Sequence, residues 1–155
     1  MKWIDGSELE LKQFSGEKLC EKLALEMYAS DREKWFECED FIQNALAILD
    51  FDTVSNMEGF STPYDSYFTS DYYGRIIRAF HAIGDHHDAD ILSEALRLDT
   101  YYTEQIESTD DESDTVYEEL CDKIDELEKG LYLNTGFDMW GLLYGYLENN
   151  ITQHK

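Results

Sequence analysis

The stretch from Glu104 to Glu128 carries acidic residues at nearly every second position around a single internal cation, Lys123. Within it Asp110, Asp114, Glu118, Asp122 and Glu126 recur every fourth residue. On an α-helix that interval sets side chains on one side, with Cβ atoms about 5–6 Å apart. Tyr117, Leu120, Ile124, Leu127 and Leu131 recur at three- and four-residue steps on another side. A segment with both patterns must be a surface helix that buries one face and displays the other, since a solvated acidic tail would lack the apolar stripe. Thr115 and Glu118 also have the spacing of a capping box, which would leave Asp110 to Asp114 in the preceding loop and shorten the row to Glu118, Asp122 and Glu126.

Carboxylates spaced along a rigid support are one way to imitate a nucleic-acid backbone. A row stepping by four residues rises about 6 Å per charge, against roughly 3.4 Å per phosphate on one DNA strand. Glu119 and Asp125, other helices or a second subunit would have to complete the match. The alternative is a polar outer face whose acidity serves only solubility.

The chain has 155 residues, which suits one domain spanning 1–155 with a substantial core. Hydrophobic residues at 43% and aromatics at 14% argue against disorder. The 35 acidic and 12 basic residues give a formal charge of −23. A field of that sign repels nucleic acid and anionic membranes and attracts basic proteins. No apolar run has the length of a membrane span, and the acid-rich first thirty residues show no secretory signal. Cys20, Cys38 and Cys121 are odd in number and far apart, as expected of reduced, buried thiols in a cytoplasmic protein.

Capping-box spacing at Ser7–Glu10 and Ser30–Glu33 predicts two opening helices. The first carries Leu19, Leu23 and Met27 and ends near Ala29; the second carries Trp35, Cys38, Ile42, Ala45 and Leu49. Glu37 to Asp71 contains no Lys or Arg, so a second acidic surface is expected there. Asp50 to Ser70, with Asn56, Gly59 and Pro63, reads as a structured loop anchored by Phe60, Tyr64, Tyr67 and Phe68. Ser70 or Asp71 then caps a helix through Phe80 that ends at Gly84, and another runs from about Asp88 to Leu98. After the acidic stretch Gly130, Asn134 and Gly136 mark a turn, and Asp138 starts a last helix with Trp140, Leu143, Tyr144 and Leu147. No segment alternates with period two over a strand length, so the fold class is all-α, a bundle of about six to seven helices.

His81, His86, His87, Asp88 and Asp90 have metal-ligand residue types, but adjacent His86 and His87 point apart on a helix, and Asp88 there complements the helix dipole. Counted from Asp110, a calcium loop would need glycine and glutamate where Thr115 and Cys121 stand. No phosphate loop, nucleophile elbow or zinc spacing occurs, so a non-enzymatic protein without cofactor is expected. A small metal-dependent enzyme using His81, His86, His87 and Asp90 is kept as an alternative.

Val54, Asn56, Gly59, Phe60, Tyr67 and Phe68, then Ala79, Ile83, Gly84, Ala89, Ile91, Leu92 and Ala95, carry a further signal. Over Val54 to Leu96 the sequence resembles the bacterial DNA-mimic protein family, with fainter likeness at Tyr117, Leu120 and Leu142 to Asn149. The resemblance implies a small acidic all-helical protein, dimeric in its characterised type, that occupies the DNA-binding surface of a helix-turn-helix transcription factor. It departs from the family pattern at Met57, Glu58 and Gly59, where a double glycine is usual, and at Ser61 to Ser66, which separate the phenylalanine from its aromatic pair. No partner-contacting acid transfers by motif.

The reading is a cytoplasmic acidic binding protein, a homodimer if the resemblance extends so far. It would use Asp110, Asp111, Glu112, Asp114, Glu118, Glu119, Asp122, Asp125 and Glu126 to cover the DNA-binding face of a basic protein such as a transcription factor. An immunity-type inhibitor of a basic nuclease toxin would use the same electrostatics and is the other alternative.

Overall fold

The computed structural model describes residues 1–65, 68–108 and 113–154. Among them the chain forms α1 (Gly16–Glu26), α2 (Arg32–Trp35), α3 (Asp40–Glu58), α4 (Ser70–Ala82), α5 (His86–Ser108), α6 (Ser113–Glu128) and α7 (Met139–Gln153), with short 3₁₀ turns between. The only extended pairing among these residues is an isolated bridge between Lys2 and Glu8. The protein is an all-α bundle, as the three- and four-residue periodicity requires. No helix among the described residues is long and apolar enough to cross a membrane.

The helices pack in sequence, α6 on α5, α5 on α4 and α4 on α3, while α1 lies against both α3 and α7. One apolar core runs through them from Trp3 to Ile151. The segment after α6 brings the chain back across the bundle. Its Tyr132 donates its backbone N–H to Asp88 at 2.9 Å and its hydroxyl to Asp52 at 2.7 Å, with its ring against Phe80.

α3 is buried on most of its circumference, with Asn44 and Asp50 among Leu46, Ile48 and Phe51. Asp50 is fully buried, and every lone-pair direction it presents is occupied. Arg32 donates Nε to Oδ2 at 3.1 Å and Nη2 to Oδ1 at 2.9 Å, Tyr28 donates its hydroxyl at 2.6 Å and Tyr72 at 2.9 Å. Burial, together with Asp50, pushes the Tyr28 phenol up to about 12 and raises that of Tyr72, keeping both as donors. A buried carboxylate is tolerable only with such complete satisfaction.

Several predicted boundaries move. The second helix is broken after Trp35, because the indole Nε1 turns to donate to the Met27 carbonyl at 3.1 Å and Gln43 caps the freed Phe36 and Cys38 carbonyls. α3 then continues to Glu58 through residues assigned to the loop, since Phe51, Val54 and Ser55 have a buried face there. Gly59, at φ 86°, ends it. Ser7 donates to Asp5 in a turn instead of capping a helix; Ser15 caps α1, and Asp31, not Ser30, precedes α2. Thr69, one residue before the predicted cap, accepts from the Tyr72 N–H at the start of α4. α5 runs ten residues beyond Leu98 because Asp99 and Tyr102 are also buried. The expected second acidic surface does not form as a continuous patch: Asp50 is interior and Asp52 half-buried under Tyr132. Cys20 and Cys38 are buried free thiols, whereas Cys121 is only half-buried. Gly84, at φ 89°, and Asp138, whose side chain accepts from the Gly141 N–H, stand where the sequence placed helix ends.

Gly16 lets α1 and α7 touch backbone to backbone. A Cβ there would lie 2.1 Å from the Tyr144 carbonyl oxygen, and the Gly16 N–H donates to Glu148 at 2.5 Å. Gly16→Ala, at a position whose φ suits any residue, is therefore expected to destabilise the fold by about 1–3 kcal/mol through overpacking alone, read from urea midpoints.

Asp85 and Asp88 are both fully buried where α5 begins. The Asp88 N–H donates to Asp85 at 3.0 Å, and the second oxygen of each carboxyl has no other partner among the described residues. Burial, and then the adjoining Asp85 carboxyl, push Asp88 up to about 8, so at neutral pH it holds a proton. An unfolded aspartate titrates near 3.9. The native state thus binds more protons between about pH 4 and 8, and this contribution to stability is complete below that range and lost as pH rises through it. Asp88→Asn supplies a permanent N–H donor. Its stability relative to the parent chain is expected to rise by about 1–3 kcal/mol between pH 5 and pH 8.5 in urea unfolding.

Candidate partner-binding surface

α6 owes its position to the stripe read from the sequence. Leu120 is 2% exposed and Ile124 6%, with Tyr117 and Leu127 half-buried beside them, and this side faces α5. Glu118, Glu119, Asp122, Asp125 and Glu126 are all solvent-exposed. Asp110, Asp111 and Glu112 lie outside the described residues. Asp114 falls in the first turn of α6, and since the helix begins at Ser113, Thr115 is inside it and is not its N-cap.

The exposed acids differ in how far they are engaged. Glu119 accepts from the Tyr102 hydroxyl of α5 at 2.9 Å, which ties the two helices together. Glu126 pairs with Lys129 at 2.8 Å, both groups largely in water, where solvent screening leaves such a pair little net contribution. Glu118, Asp122 and Asp125 have no cation within the 4.0 Å of an ion pair among the described residues. Between α5 and α6 runs an open groove of about 560 Å³, whose carboxylates Glu94, Glu119, Asp122 and Glu126 outnumber its cations Arg97 and Lys123. Arg97 is held by Glu94 through two hydrogen bonds, of 2.8 and 2.5 Å. The acidic row is thus broadened onto α5 by Glu94 and punctuated by two cations. Glu94 and Arg97 have the three-residue spacing of a helical pair, but that α6 packs beside them is a tertiary fact that spacing along the chain does not carry.

The histidine group is dispersed. Nδ1 of His81 and Nδ1 of His86 meet at 2.7 Å, one donating to the other, whereas His87 meets the Gly130 carbonyl at 2.6 Å and stacks on Phe137. Asp90 is exposed on α5. Among the described residues no three His, Cys, Asp or Glu side chains are grouped to hold a metal ion.

The model of the DMP19-like protein family matches residues 36–150, which includes all of α3 to α6 and most of α7. The chain belongs to the DMP19-like family. This is a DNA-mimic protein family. No curated protein and no solved structure matched the chain. The matched span exceeds the stretch on which the sequence resemblance rested. Val54, Phe60, Phe68, Ala79, Ile83, Ala89, Leu92 and Ala95, which carried that resemblance, are all buried, Ile91 is half-buried, and Tyr67 lies outside the described residues. Those residues of this DMP19-like protein therefore report its packing. Glu118, Glu119, Asp122, Asp125 and Glu126 lie inside the family span but on its outside face.

Leu120→Ala should loosen the packing that orients these acids. It is expected to lower the stability by about 2–5 kcal/mol, measured by chemical denaturation, and to increase amide exchange in α6 relative to α1.

Proposed function

We propose that this DMP19-like protein is a non-enzymatic DNA mimic that covers the DNA-binding surface of a basic protein, such as a transcription factor, with the outer face of α6. The observation that carries this reading is the exposure of Glu118, Asp122 and Glu126 on one side of a helix whose opposite side is buried. The backbone that carries these carboxylates is already held by the buried side of α6, so binding has to order side chains but no helix. Glu119 and Asp125 widen the row; Asp110, Asp111, Glu112 and Asp114, which precede it in the sequence, are included in the proposed interface for their charge alone. A formal charge of −23 steers a basic partner toward the protein from beyond contact range. Such a partner meets carboxylates where it would otherwise meet phosphates, and the protein and DNA compete for it.

The protein, immobilised in dilute salt, is expected to retain basic DNA-binding proteins from a lysate, to release them steeply as salt rises, and to lose them to added duplex DNA. Glu118→Lys, Asp122→Lys and Glu126→Lys combined should weaken retention by about two orders of magnitude while leaving the circular dichroism spectrum unchanged. Retention that survives the triple substitution removes α6 from the interface. Retention indifferent to DNA removes mimicry.

A further inference from the structure

Arg75 and Arg78 of α4 stand apart from the other arginines. Arg32 has Asp50 at 2.9 Å and Arg97 has Glu94 at 2.5 Å. Neither Arg75 nor Arg78 has a carboxylate within 4.0 Å among the described residues, in a chain with 35 acids. Asp71 precedes Arg75 by four residues, the spacing of a favourable helical ion pair. Arg75 nevertheless forms no ion pair with it. Its Nη1 donates to Oδ1 of buried Asn44, whose Nδ2 donates in turn to the Tyr146 hydroxyl at 2.8 Å. Residues of α3 and α7 therefore hold this guanidinium in place. Arg78 folds back along α4, its Nη1 3.7 Å from where a Cβ on Gly74 would be. Burial, and then the nearby charge of Arg78, lower the pKa of Arg75.

Two mutually repelling guanidiniums are thus kept on one wall of a cavity of about 350 Å³ completed by Phe36, Thr69, Asp71 and Tyr72. The Phe36 side chain is 56% exposed, an apolar face open to solvent beside fixed positive charge. We propose that this cavity binds a phosphate monoester carried on a flat apolar body, of the size of a nucleoside monophosphate. A phosphate monoester is close to a dianion at neutral pH and offers three acceptor oxygens in the fork geometry of guanidinium, so it balances the charge of both arginines, whereas a single carboxylate carries only one negative charge. The volume is at the small end of ligand pockets, roughly 300–1,000 Å³, and the exposed ring offers a stacking surface. Asp71 at the rim disfavours additional phosphates and accepts from a ligand hydroxyl. The site is on α4 and does not depend on α6 or its partner.

Adenosine monophosphate, adenosine and inorganic phosphate are titrated separately into the full chain at about 0.15 M salt, where the screening length is about 8 Å and the overall negative field is damped. Binding is followed by NMR of the arginine side chains and the Phe36 ring. The expected result is saturable binding of the nucleotide, with shifts at Arg75, Arg78 and Phe36 and an affinity at least about tenfold above that for adenosine or phosphate. Arg78→Gln, at an exposed position, should reduce that affinity about tenfold with the fold intact. Arg75→Gln should do the same but also cuts the link to Asn44, so Arg78→Gln decides. No saturable binding of the nucleotide, equal affinity for inorganic phosphate, or nucleotide binding unchanged in Arg78→Gln overturns the proposal.

Discussion

The packing of one apolar stripe, Leu120 and Ile124 with Tyr117 and Leu127 at its edges, against α5 is the contact on which the outward face of α6 depends. Charge alone would not hold that helix: its own carboxylates repel one another, and Lys123 is the one cation among them within α6. Burial on one side fixes the rotation of the helix about its axis, and that rotation decides which residues meet solvent. The hydroxyl of Tyr102 on Glu119 adds a polar tie between α5 and α6 at the boundary of the two environments.

The same residue type does opposite work elsewhere in the molecule. Asp50, Asp85, Asp88 and Asp99 are buried, and each is accommodated differently. Asp50 is neutralised by Arg32 and held by two tyrosine hydroxyls. Asp88 is kept protonated beside Asp85 while accepting from the Tyr132 N–H, which anchors the segment returning to α7. Asp99 accepts from the Tyr64 N–H and fastens the loop before α4 to α5. These interior acids organise the connections between helices. The acids Glu118, Asp122 and Asp125 of α6 face solvent and join no helices among the described residues.

The DMP19-like match spans 36–150, and α1 lies before it. α1 is nonetheless built into the bundle through the close approach at Gly16 and its packing on α3 and α7. Arg75 and Arg78 add a positively charged recess in an otherwise acidic molecule. Asn44 and Tyr146 hold Arg75 from two other helices, so the recess belongs to the same assembly of helices as the acidic face.

The sequence by itself determined the helical class, the positions of Gly84 and Asp138 at helix ends, and the two-sided character of α6, because local periodicity and capping chemistry act over a few residues and need no distant partner. It left the extents of α3 and α5 undetermined: Phe51, Val54 and Tyr102 are helical because neighbouring helices cover them, and coverage is a property of the assembled bundle. Tertiary structure alone decided that Asp50 and Asp88 are interior while Glu118 and Asp122 are not, since the sequence writes all four as carboxylates. It also decided that Arg75 donates to Asn44 instead of pairing with Asp71, because buried Asn44 reaches it from α3, far away along the chain. Which charge is buried, paired or displayed depends on what other helices bring within a few ångströms, and that information is not local.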